Sequence, residues 1–190
     1  MKKIITLLAS NSSQSINALL LNEMNKHLAA QQFVDVELVP MSVADYPLPI
    51  YSSDLEKEQG IPAILEQVLT LFSQADAFII ACPEHNGAMP AVFKNFIDWL
   101  SRATSSQQSI FNNKAVSLMS TSPGARGGAT NINNLTNIMP YWGAKIINSY
   151  CLGSFYQHYQ QEEFSQEVQQ NISQLTREFV TELVATESHV

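Results

Sequence analysis

The polar run 83–87, with the sequence PEHNG, combines backbone amides with a carboxylate and an imidazole. It directly follows the apolar run 77–82, which is typical of a parallel strand buried on both faces. In an open α/β sheet, ligands bind at the carboxyl ends of strands, near the point where the strand order reverses. The backbone groups of residues 84–87 suit a flat heterocycle with alternating donors and acceptors, such as an isoalloxazine ring. The sequence therefore predicts a rigid platform for a flat cofactor.

A second polar segment, 10–17 with the sequence SNSSQSIN, follows the first apolar run and precedes a predicted helix. Free N–H groups and the helix dipole make such a helix start an anion site. The segment lacks the GxxxxGK[ST] and GxGxxG patterns, so neither a Walker-type nor a Rossmann pyrophosphate site is expected. A single phosphate is the natural ligand. A plain helix cap by Ser13 or Ser15 is the alternative.

The third polar segment, 120–128 with the sequence STSPGARGG, supplies flexible backbone and hydroxyls to the other side of the same pocket. Arg126 is either a site for the phosphate of a nicotinamide nucleotide or a surface residue. Glu84 could be a general base, but a solvated carboxylate or a loop brace is the favoured interpretation. His85 could stack on the ring or contact its edge, and a lone histidine in a turn does not by itself indicate acid–base chemistry.

Strand and helix patterns alternate along the chain and position these segments. Apolar runs predict five strands, and stripes of apolar residues predict the helices between them, including one over about 90–102 and a long closing helix. We expect one α/β domain over 1–190, with a five-stranded parallel sheet in the order 2-1-3-4-5 and helices on both faces. The predicted strands cover 4–9, 34–39, 76–82, 114–119 and 144–147. The three polar segments then converge on one pocket.

The segment 40–60 is predicted to be a long irregular connection with an adhesive surface, because it combines prolines with aromatic residues. Trp99 lies at the margin of the apolar stripe over 90–102. It either packs against another subunit or lies at the edge of the core. Both cysteines, Cys82 and Cys151, are expected to be buried free thiols in a reducing compartment.

Composition excludes several kinds of partner. The net charge of −7, without a basic stripe, disfavours nucleic acid and anionic membranes. No spacing typical of metal ligands is present. The apolar stretch 4–9 is too short for a secretory signal, and no run approaches membrane-spanning length. The sequence predicts a cytoplasmic protein without a bound metal.

Residues 83–99 read PEHNGAMPAVFKNFIDW, which resembles the PEYNGSxP…KNxIDW run of the NADPH-dependent FMN reductases. These are flavodoxin-like quinone, azo and chromate reductases. The segment 10–17 resembles their first phosphate loop, of the form GSxRxxSxN. The segments 46–51 and 122–128 resemble their loop after the second strand and their third loop. The middle motif is highly specific, and the similarity extends from the first strand to the fourth helix.

The resemblance implies a flavodoxin-like fold, a bound FMN, and homodimers or homotetramers with the segments 40–60 and 90–102 at the interface. The cofactor phosphate is expected on Ser10, Ser12, Ser15, Ile16 and Asn17. The ring is expected along Pro83, Glu84, His85, Asn86 and Gly87, with Thr121, Ser122 and Gly124 closing the pocket. The cofactor carries the chemistry. Hydride is expected to pass from NADPH or NADH to the flavin, and two electrons then pass to a small-molecule acceptor in ping-pong turnover.

Three positions depart from the family pattern. Ala9 replaces a glycine, Ser12 stands where an arginine often lies near the phosphate, and His85 stands where tyrosine is usual. Losing a bidentate cation at position 12 is expected to weaken FMN binding or the preference for NADPH. A flavodoxin-like electron carrier, an FMN-binding sensor or a decayed binding module are the alternatives to a reductase, and flavin, quinone, azo, nitroaromatic and metal oxyanion acceptors all remain open.

Overall fold

A computed structural model describes residues 1–30, 35–105 and 107–185. Its main sheet has five parallel strands in the order β2-β1-β3-β4-β5, as the sequence predicts. The strands are β1 (Lys2–Leu8), β2 (Val36–Ser42), β3 (Ala77–Ala81), β4 (Lys114–Thr121) and β5 (Ala144–Leu152). Residue 34, where the second strand is predicted to begin, lies outside the described residues.

The sheet separates two apolar cores because alternate residues of a strand point to opposite faces. All five residues of β3 are buried: Phe78 and Ile80 lie in one core, and Ala77, Ile79 and Ala81 lie in the other. Burying one such large apolar side chain contributes about 1.5 to 3 kcal/mol. This double burial explains why the central strands appear in the sequence as continuous apolar runs.

Helices cover both faces of the sheet. On one face lie α1 (Ile16–Ala29) and the closing helix α7 (Gln166–Ala185), and the other face carries the helices between β2 and β5. These are α2 (Ser53–Gln59), α3 (Ile64–Gln74), α4 (Ala91–Ala103) and α5 (Ala129–Ile138). A four-residue helix α6 (Phe155–His158) and the hairpin β6 (Tyr159–Gln160) and β7 (Glu163–Phe164) precede α7.

The prediction of an irregular connection over 40–60 is wrong in part. Strand β2 continues to Ser42, a 3-10 turn follows, and α2 occupies 53–59. None of the α2 residues is buried, so this helix lacks the apolar stripe that a sequence reading needs. A local cap stabilises its start, where the Ser52 hydroxyl accepts a hydrogen bond from the Leu55 N–H.

Strand β5 is longer than predicted, because its second half contains polar residues that are paired inside the fold. The Asn148 side chain accepts a hydrogen bond from the Ser117 hydroxyl at 2.7 Å and donates to the Leu175 carbonyl at 3.0 Å. A polar group with partners can be buried in a strand at little cost. The strand therefore reaches Leu152, and Cys151 lies within it instead of after it.

Helix α4 binds the segment after β2, and this contact explains Trp99. The Trp99 side chain is completely buried, and its indole N–H donates to the Pro49 carbonyl at 2.8 Å. Asn95 accepts a hydrogen bond from the Tyr51 N–H at 2.8 Å, and the Tyr51 ring packs edge-on against Trp99. Trp99 is therefore a core residue of this chain. Its ring contact is with Tyr51 of the same chain.

Candidate functional site

The carboxyl ends of β1, β3 and β4 bring three loops together, as the strand order requires. Among the cavities of the described residues is one of about 230 Å³ between these loops. A larger cavity of about 540 Å³ lies between α3 and the segment after α4, and no predicted site residue lines it. The cavity between the loops is lined by Ser10, Ser12, Gln14, Ser15, Ile16, Asn17, Pro83, Glu84, His85, Thr121, Ser122 and Pro123.

Most of the predicted site residues therefore line one cavity. The structure adds Gln14 and Pro123 to the predicted set. The predicted residues Asn86, Gly87 and Gly124 belong to the same loops but do not line the cavity. The structure confirms that three loops distant in sequence converge on one cavity.

The first loop, residues 10–17, is shaped by short-range hydrogen bonds. The Ser10 hydroxyl accepts from the Ser12 N–H at 3.2 Å, and the Ser12 hydroxyl accepts from the Gln14 N–H at 3.3 Å. Ser15 precedes α1 without a side-chain cap bond, so it does not supply the cap that is the alternative to a phosphate site. Within the described chain, the N–H groups of residues 15–17 donate to no protein group. The first turn of α1 also has no acidic residue. This helix start suits an anion.

Asn17 connects the first loop to the end of β4. Its side-chain oxygen accepts from the Thr121 N–H at 2.9 Å, and its side-chain nitrogen donates to the Thr121 carbonyl at 3.0 Å. Both residues are almost fully buried. The Asn17 side chain thus joins two walls of the cavity, and its backbone N–H is the group available to a ligand.

The second loop, residues 83–90, contains a tight two-residue turn. His85 and Ala88 exchange backbone hydrogen bonds of 2.8 and 3.1 Å, and Asn86 and Gly87 between them have φ values of 53° and 80°. Two successive positive φ angles define a type I′ turn, for which Asn-Gly is the preferred sequence. Among the described residues, the N–H groups of Glu84, Asn86 and Gly87 have no protein acceptor.

Glu84 braces the second loop against α5. Its carboxylate accepts a hydrogen bond from the Asn131 N–H at 3.0 Å and lies 3.6 Å from the guanidinium of Arg126, which also donates to the Thr130 hydroxyl. A carboxylate at a helix start accepts an otherwise unpaired N–H and interacts well with the helix dipole. This geometry agrees with the interpretation of Glu84 as a loop brace.

Two asparagines of α5 also hold the second loop, and the sequence analysis missed both. Asn131 donates to the Pro83 carbonyl at 3.0 Å, and Asn134 donates to the Gly87 carbonyl at 3.1 Å. A local signal exists, because Asn131 falls beside Ile132 and Leu135 on the buried side of the helix. Nothing in the sequence, however, indicates which carbonyls these side chains contact.

The third loop, residues 122–128, is built on the end of β5. The Ser154 N–H donates to the Gly124 carbonyl at 2.9 Å, and the Phe155 N–H donates to the Ser122 carbonyl at 3.1 Å. Gly127 has a φ of 59°, and a Cβ there would lie 2.5 Å from the Leu152 carbonyl carbon. Only glycine fits this approach of two backbones.

Comparisons with known proteins identify the family of this arrangement. A sequence model of the NADPH-dependent FMN reductases matches residues 2–158. The chain belongs to the NADPH-dependent FMN reductase family. It is 33% identical over 146 residues to a quinone reductase of Escherichia coli strain K12, an alignment that covers 77% of this chain and 73% of that protein.

Two solved structures share the fold of this FMN reductase. The flavoenzyme NAD(P)H:(acceptor) oxidoreductase FerB from Paracoccus denitrificans superimposes with a TM-score of 0.72 at 21% identity, over 95% of this chain and 98% of that one. An FMN-dependent NADH-azoreductase from Bacillus anthracis strain Ames Ancestor, solved in complex with FMN, gives a TM-score of 0.64 at 14% identity. That match covers 96% of this chain and 99% of the azoreductase.

The chain is thus an NAD(P)H-dependent flavin oxidoreductase, and its own groups fit FMN. The unpaired N–H groups of residues 15–17 suit a phosphate, and those of Glu84, Asn86 and Gly87 suit the polar edge of a flat ring.

Burial raises the pKa of the Cys82 thiol to about 12 and also raises the pKa of Cys151. Both thiols are protonated at neutral pH and are poor nucleophiles. No group of three or more metal-binding side chains occurs among residues 1–30, 35–105 and 107–185. Nor does that part of the chain contain a helix long and apolar enough to cross a bilayer.

Proposed function

We propose that this chain holds FMN in the cavity between its three loops and uses NAD(P)H to reduce a quinone. The observation that carries the proposal is that unpaired backbone N–H groups occur in two loops on either side of one cavity. Residues 15–17 line the cavity, and of the unpaired second-loop groups at Glu84, Asn86 and Gly87, that of Glu84 belongs to a residue that lines it. The first set lies at a helix start suited to a phosphate, and the second lies on a rigid turn suited to a ring. The similarity to a quinone reductase supports the choice of acceptor.

Each loop has a defined task in this proposal. When bound, FMN supplies two-electron chemistry that links NAD(P)H to the acceptor in ping-pong turnover. The hydroxyls of Ser10 and Ser12 and the N–H groups of residues 15–17 bind its phosphate. The second loop aligns the ring with its backbone, and Thr121 at the end of β4 and Ser122 of the third loop close the pocket, with Gly124 next to them in the chain. No side chain has to act as a nucleophile, which is consistent with the protonated thiols.

The proposal also covers the domain organisation, cellular location and oligomeric state of the enzyme. We infer one FMN-binding domain over residues 1–190, acting in the cytoplasm as a homodimer or homotetramer on small molecules, without nucleic acid or membrane partners. Both cysteines are free, as expected in a reducing compartment. The exposed apolar side chain of Ile50, in the segment that α4 holds, supports a subunit contact there.

The decisive experiment is anaerobic visible spectroscopy of the purified protein, reconstituted with FMN if necessary. We expect an oxidised flavin spectrum that bleaches with NADPH or NADH and returns when benzoquinone is added. A protein that cannot take up FMN would contradict the cofactor proposal. A bound flavin that neither nucleotide bleaches would instead support an electron carrier or sensor, and a reduced flavin that benzoquinone does not reoxidise would contradict the acceptor.

A further inference from the structure

Helix α5 contacts the second loop at both ends. The Asn131 side-chain nitrogen donates to the Pro83 carbonyl at 3.0 Å, and it also lies 3.4 Å from the Cys82 carbonyl and 3.3 Å from the Cys82 sulfur. One turn further, Asn134 donates to the Gly87 carbonyl at 3.1 Å. The loop segment with unpaired N–H groups lies between these two contacts. Its position therefore depends on a helix 47 to 49 residues away in the sequence.

Asn131 is unusual because it is completely buried and only partly satisfied. Its side chain has no solvent exposure, and its oxygen has no hydrogen-bond partner. The hydroxyl of Ser120, also fully buried, likewise has no partner. Leaving a buried polar atom unpaired costs about 1 to 3 kcal/mol, so the unpaired oxygen of Asn131 offsets part of the stability that its nitrogen contributes through the Pro83 carbonyl. A buried asparagine at this position therefore calls for a role beyond stability.

We propose that Asn131 is a positioning residue for the ring of FMN. By holding the Pro83 carbonyl while its backbone N–H holds the Glu84 carboxylate, it fixes the part of the cavity wall that these two residues form before the cofactor binds. Such preorganisation raises affinity because the loop does not have to be ordered on binding. This proposal rests on the proposed function, since it requires FMN at the second loop.

Three variants of α5 test the proposal. Asn131→Ala removes the buried contact, Asn134→Ala removes the exposed one, and Asn133→Ala makes the same change on an exposed position without a contact to the loop. Each apoprotein is titrated with FMN by flavin fluorescence and unfolded in urea. The midpoint potential of each FMN-loaded protein is then measured against reference dyes.

We expect Asn131→Ala to raise the Kd for FMN at least tenfold, because the buried Pro83 carbonyl loses its partner. Asn134→Ala is expected to raise it about threefold, and Asn133→Ala to leave it within twofold. We expect the loss of this contact to change the affinity for oxidised FMN and the affinity for reduced FMN by different amounts. We expect the midpoint potential of Asn131→Ala to move by about 30 mV, which corresponds to a tenfold difference in relative affinity for a two-electron couple.

The outcomes separate positioning from stability and from the proposed function. Asn131→Ala with unchanged Kd and potential would overturn the proposal, whatever its stability. Lower stability of the apoprotein with an unchanged potential would assign Asn131 a structural role only. If Asn131→Ala does not fold, the near-isosteric Asn131→Leu, which also removes the donor to the Pro83 carbonyl, takes its place, and an unchanged Kd and potential there would overturn the proposal. If the wild-type protein binds no FMN, the proposed function fails, and the positioning role fails with it.

Discussion

The first and second loops of the site are held in place by contacts of very different range. Ser10 and Ser12 shape the first loop by accepting N–H groups two residues further along. The second loop contains its own type I′ turn, but Asn131 and Asn134 fix its position from a helix 47 to 48 residues away. A loop of the first kind can be changed by editing its own residues. A loop of the second kind can be disturbed by substitutions in a distant part of the sequence, and the same holds for the third loop beside it.

The largest effect is expected where the third loop meets β5. Gly127→Ala places a Cβ 2.5 Å from the Leu152 carbonyl carbon at a φ of 59°, so the strain and the clash act together. We expect the free energy of unfolding of the apoprotein to fall by about 3 kcal/mol or more, measured by urea denaturation.

Gly60→Ala is the matched control for this clash. Gly60 also has a positive φ, of 76°, but no atom lies within 4 Å of its Cβ position. Its cost is therefore the backbone strain alone, about 1 to 3 kcal/mol, because its φ of 76° and ψ of −167° lie in a region that glycine occupies almost exclusively. Equal losses in the two variants would show that the close approach to Leu152 does not matter and would weaken the contrast between local and distant support.

The second prediction concerns the contact of the first loop with Thr121, 104 residues away in the sequence. Asn17→Ala leaves the buried N–H and carbonyl of Thr121 without partners. We expect about 2 to 3 kcal/mol of lost unfolding free energy, together with weaker FMN binding, because the two walls of the cavity separate. Ser12→Ala removes only an exposed local bond and is expected to cost less than about 0.5 kcal/mol. A Ser12→Ala loss as large as that of Asn17→Ala would contradict the comparison.

The same contrast explains what the sequence could predict. The buried strands followed from continuous apolar runs, and the parallel sheet followed from the alternation of strands and helices. The convergence of the loops followed from the 2-1-3-4-5 order typical of this kind of sheet. The Asn-Gly pair at 86–87 carries its own turn preference. The contacts of Asn131 and Asn134 could not be predicted, because no local pattern indicates a partner distant in sequence. Helix α2 was missed for a related reason, since it buries no residue and its sequence signals lie only at its ends, in a capping serine, acidic residues of the first turn and a terminal glycine.

The third prediction is that a substitution within the first loop strengthens FMN binding, because this loop is shaped mainly by its own residues. Ser12 lines the cavity, so Ser12→Arg places a guanidinium beside the expected position of the phosphate. We expect the Kd for FMN to fall about tenfold at low ionic strength, with a smaller gain in high salt because the charges are screened. Fluorescence titration of the apoprotein at two salt concentrations measures both effects.

Ser13→Arg adds the same charge to the neighbouring exposed position, which does not line the cavity. A similar gain from Ser13→Arg would show that net charge, and not a contact with the phosphate, improves binding. No gain from either variant would place the phosphate elsewhere and would remove the first loop from the cofactor site.

The smallest effect is expected at Arg126, whose role the sequence left open. Its side chain is 71% exposed and its guanidinium lies 3.6 Å from the Glu84 carboxylate, so the cationic partner of this ion pair is mostly solvated. Exposed pairs contribute about 0 to 1 kcal/mol. Glu84 keeps its hydrogen bond from the Asn131 N–H when Arg126 is removed. We therefore expect Arg126→Ala to change the unfolding free energy by less than about 0.5 kcal/mol. Steady-state kinetics should show the same ratio of KM values for NADPH and NADH as the wild type. A selective rise in the KM for NADPH would instead assign Arg126 to the nucleotide phosphate, and the third loop would then bind a substrate directly as well as close the cofactor pocket.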